Sequence, residues 1–145
     1  MKSIAFLSQK GGSGKTTLAV HTAVAAVETG ERVVLVDTDI QQSAAVWSAA
    51  RSEAQPIVAT ASAAEVNRVM AAARHDAMTL CILDTAPHAT PDAARIAQAV
   101  DLVVIPCRPT AFDVAAVGSG RGHRYPAFRR RSWVTTREPL RQPSP

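Results

Sequence analysis

The segment Lys10-Gly11-Gly12-Ser13-Gly14-Lys15-Thr16-Thr17 packs three glycines, two lysines and three hydroxyls into eight residues. Glycines let successive backbone N–H groups curl inward and approach an anion closely, which is what a bound phosphate needs. Lys15 is placed to neutralise the β- and γ-phosphates of a nucleotide, and the Thr16 hydroxyl to ligate Mg2+. Gly11, Gly12, Ser13, Gly14, Lys15, Thr16 and Thr17 are therefore the expected nucleotide-binding set, with ATP and Mg2+ as the expected cofactors. Two other segments supply carboxylates. In Val36-Asp37-Thr38-Asp39-Ile40-Gln41-Gln42 the two acids lie two residues apart. Such a pair serves a cation and an attacking water, or caps the turn into a following helix. In Leu80-Cys81-Ile82-Leu83-Asp84-Thr85-Ala86-Pro87 an apolar run ends in an acid. A carboxylate at the end of a buried strand costs desolvation, so Asp84 is expected to face a metal, held through water.

These residues need elements to hold them in place. Four short apolar runs, at 4–7, 33–36, 80–83 and 102–105, are rich in Val, Ile and Leu and do not alternate. Strands buried on both faces of a parallel sheet have this character. Ala-rich stretches between them are long enough for helices. The spacing predicts a first helix over 14–29, with Gly30 as its left-handed C-terminal cap. It predicts a short helix over 43–52 and a short strand over 57–59. Ser62-Ala63-Ala64-Glu65 has capping-box spacing ahead of a helix containing Val66, Val69 and Met70. Thr90-Pro91-Asp92 reads as an N-cap, a first-turn proline and an acid at the positive helix end. Strand and helix in alternation imply an α/β fold, a doubly wound and mostly parallel sheet with helices on both faces.

Length and charge sharpen the organisation. The chain has 145 residues, 47% hydrophobic and 19% charged, with a net charge of +4. That suits one ordinary domain with a real core and excludes a disordered chain. No apolar run reaches the ~20 residues of a membrane helix, and the N-terminus lacks the pattern of a signal peptide. Cys81 and Cys107 make neither a disulfide framework nor a metal spacing, so a reducing cytoplasm is the expected location. The positive charge is unevenly distributed. Residues 1–117 hold 9 basic and 11 acidic residues, whereas 118–145 hold 7 Arg and a single acid, Glu138. The strand–helix pattern stops near Val117. The remainder, rich in Arg, Pro and Gly, is expected to be loop or disorder. The division is thus a P-loop ATPase domain over 1–117 and a tail over 118–145.

The glycine-rich segment departs from G-x-x-x-x-G-K-[ST] in one respect: Gln9 stands at the first glycine and a second lysine, Lys10, follows. This resembles the deviant Walker A motif of the ParA/MinD ATPases. The Asp37–Gln42 segment is similar to that family's D-x-D-P-Q, with Ile40 in place of proline, and Asp84 sits in a Walker B-like strand end. Leu102 to Asp113, with Pro109 and Asp113, resembles the strand and P-x-x-x-D turn of small ParF-like members. The resemblance implies a P-loop NTPase fold and Mg2+-dependent ATP hydrolysis in an ATP-sandwiched homodimer, with DNA segregation as the role. It further implies that Lys10 reaches the partner's phosphates, Asp39 positions water, Asp37 supports the magnesium side beside Thr16 and Asp84, and Asp113 helps order the nucleotide face. Lys10, Lys15 and Asp39 are the expected catalytic set. The implied partners are a second copy, a centromere-binding ParB-like protein and non-specific DNA, with nucleoid association where DNA is bound and no membrane.

The resemblance ends near residue 117, so the chain is expected to be truncated or frame-shifted there. The alternative for 118–145 is a nucleic-acid arm in which the arginines alternate with Tyr125, Phe128 and Trp133. Three rival functions are a MinD-like positioning ATPase, an inactive nucleotide-binding fragment acting by interaction, and a small-molecule P-loop kinase or ligase. The tail lacks the amphipathic helix the first requires, and Lys10 with the Asp37/Asp39 pair argues against the last. Cys81 and Cys107 read as core thiols. His21, His75 and His88 read as structural or solvated, and Trp47 as packing.

Overall fold

The computed structural model of the chain describes residues 1–8, 11–87, 91–107 and, as backbone, 132–136. The expectations for Lys10, His88, Thr90 and Asp113 lie outside these residues. The elements in order are β1 (Lys2–Phe6), α1 (Lys15–Glu28), β2 (Val33–Asp37), α2 (Ser43–Ala49), β3 (Ile57–Thr60), α3 (Val66–His75), β4 (Leu80–Asp84), α4 (Pro91–Ala99), β5 (Leu102–Cys107) and β6 (Ser132–Thr136). All strands pair in parallel in one sheet of order β3-β2-β4-β1-β5-β6. Each of the four apolar runs became a strand, and the parallel α/β sheet expected from them is observed.

Alternation along each strand sends side chains to two cores. Phe6, Val33, Leu35, Leu80 and Ile82 face Ala19, Val20 and Ala23 of α1 and Ala44 of α2. Ala5, Leu7, Val34, Val36, Cys81, Leu83 and Val103 face Val66, Met70 and Ala73 of α3 and Ala93 and Ile96 of α4. The alanines let α1 lie close to the sheet, while Leu35 and Ile82, fully buried, fill the space beneath it. Truncating either to Ala should cost about 2–5 kcal/mol.

Helix ends follow the sequence in part. Gly30, at φ 89°, donates its N–H to the Val27 carbonyl while Glu31 donates to Ala26, a Schellman closure of α1. At α3 the capping box is only half made. Glu65 accepts from both the Ser62 N–H and the Ser62 hydroxyl, and the helix begins at Val66. The hydroxyl donates to Glu65 rather than capping a helical N–H. The predicted helix over 43–52 stops at Ala49.

One expectation is corrected. The tail reading left 118–145 without regular structure, yet Ser132–Thr136 pairs with β5, Val104 opposite Trp133 and Cys107 opposite Thr136. The pentapeptide Ser-Trp-Val-Thr-Thr is β-prone. Its surroundings of Arg, Gly and Pro masked that, as did its distance in sequence from its partner strand.

Candidate functional site

The described site residues gather at the carboxyl ends of β1, β2 and β4. The chain leaves β1 toward β2 on one side, whereas β4 is followed by β5 on the other. Parallel sheets bind ligands in the crevice at such a reversal. The connection from β1 to α1 is the glycine-rich segment. Gly12 and Gly14 adopt positive φ, 67° and 87°. Gly14 forms the N-cap of α1 without a side-chain cap, and the first turn carries no acid. The positive helix end thus carries no charge from an acid of its own first turn. A Cβ added at Gly11 or Gly14 would meet nothing within 4 Å. The Ser13 hydroxyl is buried without a hydrogen-bond partner among the described residues.

Lys15 opens α1 and is only 6% exposed. Burial lowers its pKa, and the Asp84 and Asp39 carboxylates oppose that shift. The three charges are therefore within electrostatic reach of one another. Thr16, next on the helix, is half-buried, and Thr17 is exposed.

The carboxylates differ in their surroundings. Asp84 is 0% exposed, and among the described residues neither of its oxygens has a hydrogen-bond partner of full geometry. Its pKa is pushed up to about 6 by burial, held back by the Thr16 hydroxyl, raised by Asp37, lowered by Lys15 and raised by Asp39. Asp37, also buried, accepts three backbone N–H groups. Oδ1 takes Asp39 at 3.0 Å, and Oδ2 takes Ala44 at 2.9 Å and Ala45 at 3.2 Å. The helix-capping role open to this acid pair is thus realised at Asp37. Asp39 accepts the Gln41 N–H at 3.0 Å.

Two hydroxyls that sequence reasoning did not assign fasten the strand ends. Thr38 donates through its N–H and its Oγ1 to the Asp84 carbonyl, each at 2.9 Å. Thr85 Oγ1 donates to the Phe6 carbonyl at 2.7 Å. The available signal was a threonine directly after each strand-end acid.

Among the described residues, no group of three or more His, Cys, Asp or Glu could hold a metal by side chains alone. Mg2+ fits such a site, because it is usually held by one or two protein oxygens together with water and substrate phosphates. Asp84's oxygens and the Thr16 hydroxyl would be the protein's share of such a site, with the Lys15 charge beside them suited to phosphate. Cys81 is a buried thiol pushed up to about 11 by desolvation, as a core cysteine should be.

A parallel α/β sheet with a glycine-rich loop, an uncapped helix N-terminus and a strand-end acid defines a P-loop nucleotide-binding domain. The sequence matches the CobQ/CobB/MinD/ParA nucleotide binding domain over residues 4–118, and the chain belongs to that family. It is 38% identical over 117 residues to the maintenance of carboxysome distribution protein A of Gloeobacter kilaueensis, covering 79% of this chain and 52% of that one. It is 32% identical over 120 residues to the ParA protein of Rhizobium radiobacter, covering 82% and 54%. The chain thus spans about half the length of these curated relatives. Among solved structures, apo McdA of Cyanothece superposes with a TM-score of 0.72 at 17% identity, covering 94% of this chain and 72% of that one. The septum site-determining protein MinD of Pyrococcus horikoshii, complexed with Mg-ADP, gives a TM-score of 0.66 at 16% identity, covering 82% and 64%. At these identities the structures speak to the fold.

Proposed function

We propose that the chain binds ATP with Mg2+ at this site and hydrolyses it as a ParA-like partition ATPase, acting as a nucleotide-sandwiched homodimer. The observation that carries the reading is Asp84. A buried carboxylate with no well-formed hydrogen bond is a costly feature for a fold to keep, and a cation held beside it reduces the cost. Thr16 and Asp84 would hold Mg2+, and Lys15 would neutralise the β- and γ-phosphates. Bound Mg2+ would offset phosphate charge as it develops in transfer. Asp39 would position the attacking water, and Lys10 would reach the phosphates of the partner copy.

A ParB-like centromere-binding partner, non-specific DNA and a cytoplasmic, nucleoid-associated location belong to the same proposal. No described helix is long and apolar enough to cross a membrane. The arginines of 118–145 are the main concentration of positive charge along the sequence, the residue type that phosphate backbones attract.

Calorimetry of ATP binding with Mg2+ tests the core of the reading, comparing the chain with its Lys15→Ala variant. Binding that disappears in the variant supports it, and unchanged affinity would overturn it. Turnover measured with and without DNA then separates an ATPase from a nucleotide-binding fragment.

A further inference from the structure

The segment joining β2 to α2 is bonded to its own chain at Thr38, Asp39, Gln41 and Gln42. The Asp37 carboxylate grips it at both ends, through the Asp39 N–H on Oδ1 and the Ala44 and Ala45 N–H groups on Oδ2. The latter are otherwise orphan donors, since Gln42 at the N-cap of α2 makes no side-chain cap. A carboxylate offers about four lone-pair sites, and three are committed here. Between the grips, Thr38 fastens the segment to β4 through two donors onto one carbonyl, that of Asp84. Asp39 is oriented in turn by the Gln41 N–H on its Oδ1 and by a backbone turn in which Gln42 donates to the Asp39 carbonyl. The residue whose carboxylate faces the P-loop lysine is also the one whose carbonyl Thr38 holds.

We infer that Asp37 and Thr38 are positioning residues, not magnesium ligands, and that together they fix Asp39 relative to Asp84 at the mouth of the P-loop. This rests on the ATPase reading, which makes Asp39 the water-positioning carboxylate. Positioning matters because a shift of about 1 Å can cost a reaction about a hundredfold. Asp37→Asn keeps the volume but turns one acceptor into a donor facing an N–H. Thr38→Val removes the hydroxyl and keeps the carboxylate grip.

The test uses the full 145-residue chain. Without nucleotide, amide hydrogen exchange at Asp39, Ala44 and Ala45 should quicken at least about tenfold in Asp37→Asn, while β1 and β5 stay protected. With ATP, Asp37→Asn and Thr38→Val should lower kcat at least about tenfold, leaving KM and the Mg2+ concentration for half-saturation nearly unchanged. Thr38→Ser should restore kcat. Asp84→Asn should instead raise the Mg2+ requirement. The inference is overturned by a Mg2+ requirement shifted as far by Asp37→Asn as by Asp84→Asn, or by unchanged exchange at Asp39 and Ala44. Failure of the unsubstituted chain to bind ATP would overturn the ATPase reading instead, and the exchange result would still decide the anchoring.

Discussion

Asp37 and Asp84 are register partners on adjacent parallel strands, both almost fully buried, and the chain treats them oppositely. Three N–H groups converge on Asp37, whereas among the described residues no N–H group reaches Asp84, which has only the Thr16 hydroxyl nearby. Two strand-end acids at the same level of one sheet thus divide the work. One holds the loop that carries Asp39, and the other lies beside the Thr16 hydroxyl and the Lys15 charge at the start of α1.

That division predicts a pH-dependent stability difference. The Asp84 pKa is raised from 3.8 to about 6, so the folded chain holds this proton more tightly than the unfolded one. The contribution is fully present below about pH 4 and is lost as pH rises through about 6. Asp84→Asn removes the titration. In EDTA the variant should be the more stable at pH 8, by up to about 3 kcal/mol, with the difference shrinking toward pH 4. Urea unfolding at pH 4, 6 and 8 measures it. A variant less stable than the parent at pH 8 would show that Asp84 is satisfied within the chain. Saturating Mg2+ with ATP should reverse the order, because only the parent has the carboxylate to hold the metal.

Ser3 and Asp101 close the opposite end of β1. The Ser3 N–H and hydroxyl both donate to Asp101 Oδ2, at 2.9 and 2.7 Å, and the Asp101 N–H donates back to the Ser3 hydroxyl at 3.0 Å. Asp101→Ala leaves two buried donors unpaired and should cost about 1–3 kcal/mol. ATP affinity should not change, because the pair lies a strand's length from Phe6 and the P-loop. Chemical denaturation and calorimetry on the same variant would separate the effects. Weakened nucleotide binding at temperatures where the variant is fully folded would count against that independence.

How much of this was legible in the sequence depends on how local each cause is. Gly30 closes α1 by donating to Val27 three positions back and turning Glu31 to donate to Ala26, so a single glycine at the right place announced it. The strands were legible because burial on both faces removes alternation and leaves runs such as Val33–Asp37. The P-loop was legible because phosphate chemistry needs consecutive residues. The task of Asp37 was not. Two acids around a threonine suit a metal or a cap equally well, and the choice depends on N–H groups up to eight residues on turning back toward Oδ2. Thr38 and Thr85 escaped notice because their acceptors lie 46 and 79 residues away. The strand Ser132–Thr136 escaped because its β-prone residues sit among arginine, glycine and proline, and its partner is β5.

Gly14 and Gly30 offer a matched pair for separating conformation from ligand space. Both have positive φ, 87° and 89°, and a Cβ at either would meet nothing within 4 Å. Replacement by Ala therefore carries the left-handed penalty alone, about 1–2 kcal/mol at each position. Gly14→Ala and Gly30→Ala should lower the midpoint of urea unfolding by similar amounts. Their effects on nucleotide should diverge. At Gly14 the added methyl projects into the space beside the uncapped start of α1, where the proposed phosphate approaches the backbone. At Gly30 it projects from the far end of the same helix. ATP affinity should fall at least about tenfold in Gly14→Ala, in keeping with the loss of close backbone approach. It should be unchanged in Gly30→Ala. Equal affinities in the two variants would mean that phosphate does not approach the chain at Gly14, and the binding site would then have to lie elsewhere along the carboxyl edge of the sheet.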